Sequence, residues 1–239
     1  TTTLYSALKY IDSIEKNIIT IEDPVEYQLF GINQVVVSED IGLTFASALR
    51  SILRQDPDVI MVGEIRDFET VDIAIKAALT GHLVLSSLHA IDAASSIVRL
   101  INMGVEPFLI TSSLIAVIAQ RLVRRLCPKC KIAYEAEPAL ISSLVDTSTL
   151  EKKPITLFRP KGCDFCRGKG FSARMGIFEM MVISPEIKKL IMEKAPESLI
   201  EQAAKKEGLV TLREDGVNKA LKGLTSIEEI IRVTAGEQL

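Results

Sequence analysis

Asp56-Pro57-Asp58-Val59-Ile60-Met61-Val62-Gly63-Glu64-Ile65-Arg66-Asp67 is the stretch on which the fold turns. Four consecutive apolar residues, three of them β-branched, suit a strand buried on both faces, and Gly63 lets the backbone turn after it. Glu64 is thereby delivered at the strand's carboxyl end, where open α/β sheets bind ligands. Taken alone, the stretch fits a core strand with a solvated turn equally well.

Upstream, Asn17-Ile18-Ile19-Thr20-Ile21 reads as a second buried strand and ends in the acidic cluster Glu22-Asp23-Pro24-Val25-Glu26. Downstream, Leu83-Val84-Leu85-Ser86-Ser87-Leu88 reads as a third, with His89 at its far end. Helical patterns separate the three runs. Thr44 is an N-cap before Phe45, Ala48, Leu49, Ile52 and Leu53, and Asp67 caps a helix that turns Val71, Ala74, Ile75 and Ala78 inward and closes at Gly81. Gln34 to Val37 suits a short strand, and Leu4, Ala7, Leu8 and Ile11 recur at helical spacing. Three apolar runs, each leaving polar chemistry at its carboxyl end, predict a doubly wound α/β sheet with a site along one edge.

Ala93 to Met103 and Pro107 to Val117 are expected to be helices. Arg121, Arg124 and Arg125, set among Leu122, Val123 and Leu126, form a basic stripe read as a solvated face in preference to a nucleic-acid contact, with a subunit-facing role open. All four cysteines fall in two knuckles, Cys127-Pro128-Lys129-Cys130 and Cys163-Asp164-Phe165-Cys166, separated by 32 residues. Two-residue spacing lets both thiolates of a knuckle converge on one tetrahedral ion. A redox pair and buried thiols are the alternatives, but paired knuckles with nothing left over favour structural Zn²⁺. A short helix over residues 138–145 and a strand from Pro154 to Pro160 are expected within the insert. Gly168 and Gly170 suit a tight turn, because the loop runs into a strand over Met175 to Val182 and no helix N-terminus follows to bind an anion. The remainder is expected to be helical. Ser184-Pro185 starts one helix, Thr225-Ser226-Ile227-Glu228 fits a capping box, and Ile187, Leu190, Ile191, Leu199, Ile200, Ala203, Leu209, Leu212 and Leu221 face inward in a small bundle.

The 239 residues are 48% hydrophobic and 25% charged, with a net charge of −3, which predicts neither broad nucleic-acid binding nor a polybasic membrane patch. The longest apolar candidate, Phe108 to Ala119, is broken by Thr111, Ser112 and Ser113 and is too short to span a bilayer. No signal peptide is found. The opening Thr1-Thr2-Thr3-Leu4-Tyr5 enters a helical pattern at once, as expected of a fragment.

Taken together, Ile19 to Tyr27, Val59 to Asp67, Thr80 to His89, the paired cysteines, Arg174-Met175-Gly176-Ile177-Phe178-Glu179 and Thr211 to Gly216 resemble the secretion ATPases. The likeness is to the type II secretion and type IV pilus assembly branch, the four cysteines separating it from the pilus-retraction relatives. The resemblance implies a RecA-like P-loop NTPase sheet flanked by helices, with a four-Cys zinc subdomain and a C-terminal helical bundle. The expected parts are an ATPase core over residues 1–126, a zinc subdomain over 127–170, and a return strand and helical subdomain over 171–239. It further implies that Glu22, Asp23 and Glu26 form an Asp box, that Gly63 and Glu64 belong to Walker B, and that His82 and His89 form a His box. Glu64 is the first candidate for water activation and Glu26 its rival. Thr1, Thr2, Glu22, Asp23, Gly63, His82 and His89 are candidates for nucleotide and Mg²⁺ binding.

In this family a Gly-rich phosphate loop ending Gly-Lys-Thr directly precedes the Thr-Thr-Leu-Tyr segment, and those glycines and that lysine are not among these residues. The chain as given is therefore expected to bind ATP weakly and hydrolyse it poorly. The family also implies a homo-hexamer, peripheral on the cytoplasmic face of the bacterial inner membrane, bound to platform and assembly proteins, with no nucleic-acid partner and no membrane span of its own. The competing class is a non-enzymatic zinc-stabilised adaptor that docks membrane assembly proteins.

Overall fold

The computed structural model describes residues 1–137 and 155–235. The chain divides into two compact units. The first holds Thr1–Ala90, Ser96–Ile115 and Lys188–Glu197; the second holds Ile91–Ser95, Ala116–Ile187 and Ser198–Leu239.

In the first unit, helix α1 (Thr2–Ile11) precedes strand β1 (Ile18–Glu22), strand β2 (Asn33–Val36), helix α2 (Phe45–Ile52), strand β3 (Val59–Ile65), helix α3 (Phe68–Leu79) and strand β4 (Leu83–Leu88). The four strands form a parallel sheet in the order β2-β1-β3-β4. Ile21 is in register with Val62, and Val62 with Ser86, so the carboxyl ends of β1, β3 and β4 lie side by side. Val59 and Met61 pack with Tyr5 and Leu8 of α1, while Ile60 and Val62, on the opposite face, are equally buried. This is the two-sided burial that the apolar run predicts.

The caps stand where the sequence puts them. The Thr44 hydroxyl accepts from the Ser47 N–H, and Ser47 returns the bond to the Thr44 N–H at 2.8 Å. The Asp67 carboxylate accepts both the N–H and the hydroxyl of Thr70, at 2.8 and 2.9 Å. Gly81 takes a φ of +105°, which closes α3 without the strain a Cβ would add.

Helix α4 (Ala93–Asn102) follows, and then α5 (Pro107–Ser113). The expected helix from Pro107 to Val117 stops four residues early. From Ala116 the chain is instead strand β5 (Ala116–Leu126), paired antiparallel along its length with β8 (Phe171–Val182). Helical spacing in the apolar run is overridden by a partner strand more than fifty residues away, and Ile115, Val117 and Ile118 suit the extended form.

Strands β6 (Ile132–Ala136) and β7 (Ile155–Arg159) form a hairpin-like antiparallel pair carrying the cysteine knuckles at its open end. The strand expected from Pro154 is β7; Pro154 and the helix expected over 138–145 lie outside the described residues. Helices α6 (Pro185–Met192), α7 (Glu197–Lys206), α8 (Leu212–Leu221) and α9 (Ile227–Thr234) complete the chain. Leu157, Ile177, Leu212 and Ile230 are fully enclosed in the second unit's core, each contributing roughly 1.5–3 kcal/mol. Of the residues expected to face inward, Leu199 is exposed, and Ala204 is buried in place of Ala203.

Two further details differ. The cap of α9 is Ser226, whose hydroxyl accepts from the Glu229 N–H, and not Thr225, whose hydroxyl donates to the Arg124 carbonyl at 2.8 Å. The basic stripe is only in part a solvated face. Arg121 donates to the Val233 and Ile91 carbonyls, and Arg124 binds the buried carboxylate of Glu229 through its backbone N–H and its guanidinium.

Candidate functional site: an acidic sheet edge and a four-thiolate cluster

Glu64 lies past a bulge in the β3–β4 pairing, between Val62 and Ile65. At Gly63 a Cβ would stand 3.2 Å from the Ile21 carbonyl oxygen, so the close approach of β3 to β1 there favours glycine. Ser86 and Ser87 fasten the bulge from the other side, their hydroxyls donating to the Val62 and Gly63 carbonyls at 2.8 and 2.7 Å. A two-sided clamp of this kind fixes where the Glu64 carboxylate points.

That carboxylate is mostly enclosed, pairs with Arg66, and meets Nε2 of His89 at 2.9 Å. Burial pushes its pKa up, but the hydrogen bonds and charges of Arg66 and His89 outweigh burial and hold it below the ordinary value. Glu64 is therefore ionised at neutral pH. Arg66 is raised in turn by Glu64, with smaller contributions from Asp23 and Glu39, which places Asp23 in the same electrostatic neighbourhood. Asp23 and Glu26 are exposed.

Glu22 differs from both. It is 2% exposed and its carboxylate is occupied: Oε2 accepts the Tyr5 hydroxyl, while Oε1 accepts Thr20 Oγ1 at 2.6 Å and Gln34 Nε2 at 3.0 Å. Burial, and then Glu22, push the Tyr5 hydroxyl up to about 12, so it stays a donor. The family resemblance groups Glu22 with Asp23 and Glu26; in the structure its carboxylate faces inward, bonded to Tyr5, Thr20 and Gln34, while theirs are exposed. Thr1 and Thr2 are exposed at the start of α1, and the Thr1 hydroxyl makes no capping bond. His82 is not brought to the group: it precedes β4, at the opposite end of the strand from His89, and its Nδ1 meets the Ala77 carbonyl at 2.9 Å and Thr80 Oγ1 at 3.1 Å. There it closes the end of α3.

Sequence reasoning missed Tyr5, Gln34 and Arg66 here, and Glu179 in the second unit. Glu179 is buried and accepts the first N–H of two helices, Ala93 of α4 at 2.9 Å and Leu212 of α8 at 3.2 Å. Burial raises its pKa against the pull of those two amides. The register 179–212 carries no short-range signal that would reveal the pairing.

The four cysteines converge. Their Sγ atoms all lie within 4.8 Å of one another, with Cys127–Cys163 at 3.9 Å, Cys130–Cys166 at 3.8 Å and Cys163–Cys166 at 3.7 Å. A tetrahedron of thiolates at ~2.3 Å from a zinc ion has edges of about 3.8 Å, whereas a disulfide needs ~2.05 Å. The backbone N–H groups of Cys163 and Gly170 donate to the Cys166 Sγ at 3.2 and 3.1 Å, as suits a sulfur carrying negative charge. The donor set fits Zn²⁺, and four protein thiolates leave no open position for catalysis.

A chain with a parallel sheet that carries acidic and histidine side chains at its carboxyl edge, and with a four-cysteine module, is an α/β protein of the RecA-like NTPase class. Over residues 1–232 the sequence matches, and the chain belongs to, the family described as Type II/IV secretion system protein. It is 49% identical over its whole length to the type IV pilus assembly ATPase PilB of Myxococcus xanthus, covering 42% of that protein. It is 48% identical, over 98% of its length, to the type II secretion system ATPase E of Vibrio cholerae, covering 46% of that one. Among solved structures, the pilus retraction motor PilT with bound ADP superposes with a TM-score of 0.69 at 28% identity, over 97% of this chain and 57% of that one. The chain thus spans less than half the length of these curated relatives.

Proposed function

We propose that this chain is the ATP-hydrolysing portion of a motor subunit that powers assembly of a type IV pilus or a type II secretion pseudopilus. The observation that carries the reading is Glu64, ionised and held between Arg66 and His89 at the carboxyl edge of the parallel sheet. A carboxylate held below its ordinary pKa is a weak base, so its work is to accept a hydrogen bond from the attacking water and align it on the γ-phosphate. Glu26, exposed on the same edge, is the second candidate. His89, through its bond to Glu64, is placed to report whether the γ-phosphate is present. Gly63 carries Glu64 to that edge.

ATP brings Mg²⁺, a hard cation that takes oxygen ligands. The free Thr1 hydroxyl, its neighbour Thr2 and the exposed carboxylate of Asp23 offer such oxygens; buried Glu22 and distant His82 serve the scaffold. Cys127, Cys130, Cys163 and Cys166 hold structural Zn²⁺. The relatives' names favour the motor over a zinc-stabilised adaptor. The working form in this reading is a homo-hexamer on the cytoplasmic face of the bacterial inner membrane, bound to platform and assembly proteins. Among the described residues no helix is long and apolar enough to cross a membrane.

The 239 residues contain no Gly-x-x-x-x-Gly-Lys-[Ser/Thr] loop. A polypeptide of these residues alone is expected to turn over ATP at a small fraction of the rate of one that also carries a phosphate loop ahead of Thr1. Equal turnover by the two would refute the proposed placement of the nucleotide.

A further inference from the structure

We propose that Tyr5 is a positioning residue for ATP hydrolysis, acting through Glu22 and the Glu26 backbone to hold the acidic loop 23–29 in its working shape. This rests on the ATPase reading above and gives a use to two buried side chains that reading leaves idle.

The geometry is specific. Tyr5 sits one turn into α1, after Thr1 and Thr2, and is fully enclosed. Its hydroxyl donates to Glu22 Oε2 and accepts two bonds, from the Glu26 N–H and from Gln34 Nε2, each at 3.3 Å. Gln34, on β2, reaches the same loop at two more points: its Oε1 accepts the Leu29 N–H at 2.7 Å, and its Nε2 donates to the Tyr27 carbonyl at 3.3 Å. The Tyr5 ring also meets Tyr27 edge-on, with centroids 4.7 Å apart. The loop carrying Asp23 and Glu26 is therefore tied at Glu26, Tyr27 and Leu29 to one network of Tyr5, Glu22 and Gln34.

Glu22 is the hub of that network. As a buried carboxylate with three donors it is costly to disturb and cannot turn out to a metal without abandoning them. The hydroxyl of Tyr5 links Glu22 to α1. Removing that hydroxyl leaves Glu22 one donor short and leaves the Glu26 N–H without its acceptor, so Asp23 and Glu26 lose their fixed positions while the exposed Thr1 and Thr2 keep theirs. Since misplacement of a group acting on the reaction is felt mainly in the chemical step, kcat should fall by much more than KM for Mg-ATP rises, Asp23 being one of several oxygens offered to the metal.

The test uses the intact protein, phosphate loop included, with Tyr5→Phe, Glu22→Gln and the double variant. Tyr5→Phe is expected to lower kcat by about 10- to 100-fold with KM for Mg-ATP changed less than about 3-fold. The double variant is expected to be no slower than Glu22→Gln alone, because both changes break one network. Hydrogen exchange at the Glu26 amide should speed up at least ~10-fold in Tyr5→Phe and stay unchanged in Glu64→Gln. A folded Tyr5→Phe protein with unaltered kcat overturns the proposal, as do losses that multiply in the double variant. If the unsubstituted protein hydrolyses no ATP, the ATPase reading fails and the role in catalysis fails with it, while Glu26 exchange still decides whether Tyr5 holds the loop.

Discussion

Glu229 gives the sharpest prediction about stability. Its carboxylate is completely enclosed and accepts from the Arg124 backbone N–H at 3.0 Å, from the Arg124 guanidinium at 2.6 Å and from Arg232 at 2.7 Å. Burial raises its pKa, but the bonds from Arg232 and then Arg124 overcome burial and pull it from an ordinary 4.5 down to about 2. A depressed carboxyl pKa stabilises the fold above the unfolded value and loses that contribution as pH falls through the window between about 4.5 and 2. A shift of this size corresponds at its limit to about 3 kcal/mol, of which about 2 kcal/mol is lost between pH 7 and pH 3. The perturbation is Glu229→Gln, which keeps the shape and removes the charge. Urea unfolding of both proteins at pH 7, 5, 4 and 3 provides the assay. The variant should be the less stable at pH 7, and the gap should narrow by about 2 kcal/mol by pH 3. Taking the difference between the two proteins cancels the other carboxylates and the acid release of any metal. A gap that stays constant across this range would refute the assignment of the stabilisation to the ionised Glu229.

Three further outcomes follow from the geometry. Metal analysis of protein purified without chelator should find one zinc per chain, and Cys163→Ser should lose that metal and lower the thermal midpoint; a full protein with no metal and four freely titrating thiols would contradict the four-thiolate site. His89→Ala should slow ATP hydrolysis by roughly 10-fold or more with little change in melting, whereas His82→Ala should lower stability by about 1 kcal/mol with turnover close to normal. The reverse pattern, measured by steady-state turnover and calorimetry, would place the chemistry at the wrong end of β4. Glu179→Gln keeps acceptors for only some of its two helix N–H bonds and should destabilise the second unit by about 1–2 kcal/mol, read by denaturant unfolding.

How far the sequence speaks depends on the range of the interaction. Strands β1 and β3 were legible because a two-sided buried strand writes itself as a continuous apolar run. Strand β4 carries the same apolar signal but is the half-buried edge strand of the sheet, a position its own sequence does not reveal. The caps at Thr44 and Asp67 were legible because their partners lie three residues away. The cysteines were legible because knuckle spacing is itself the geometric requirement. Strand β5 was not: its apolar residues also fit a helix, and only the partner strand β8 decides between them. The same holds within the site. Glu64 and His89 sit at strand ends, where topology alone places them. That Glu22 turns inward depends on Tyr5 and Gln34, 17 and 12 residues away, and that Arg124 is consumed by Glu229 depends on a residue 105 positions further on. His82 and His89 look alike in one motif, yet the six residues of β4 between them send them to opposite ends of the strand.

The central claim is that Glu64, fixed between Arg66 and His89, orients the water that cleaves ATP. Its most direct test is the steady-state turnover and nucleotide affinity of Glu64→Gln in the intact protein at saturating Mg-ATP. The account predicts a fall in kcat of at least ~100-fold with ATP affinity retained within about 3-fold and melting unchanged. Turnover equal to that of the unsubstituted protein would remove Glu64 from the chemistry and contradict the account.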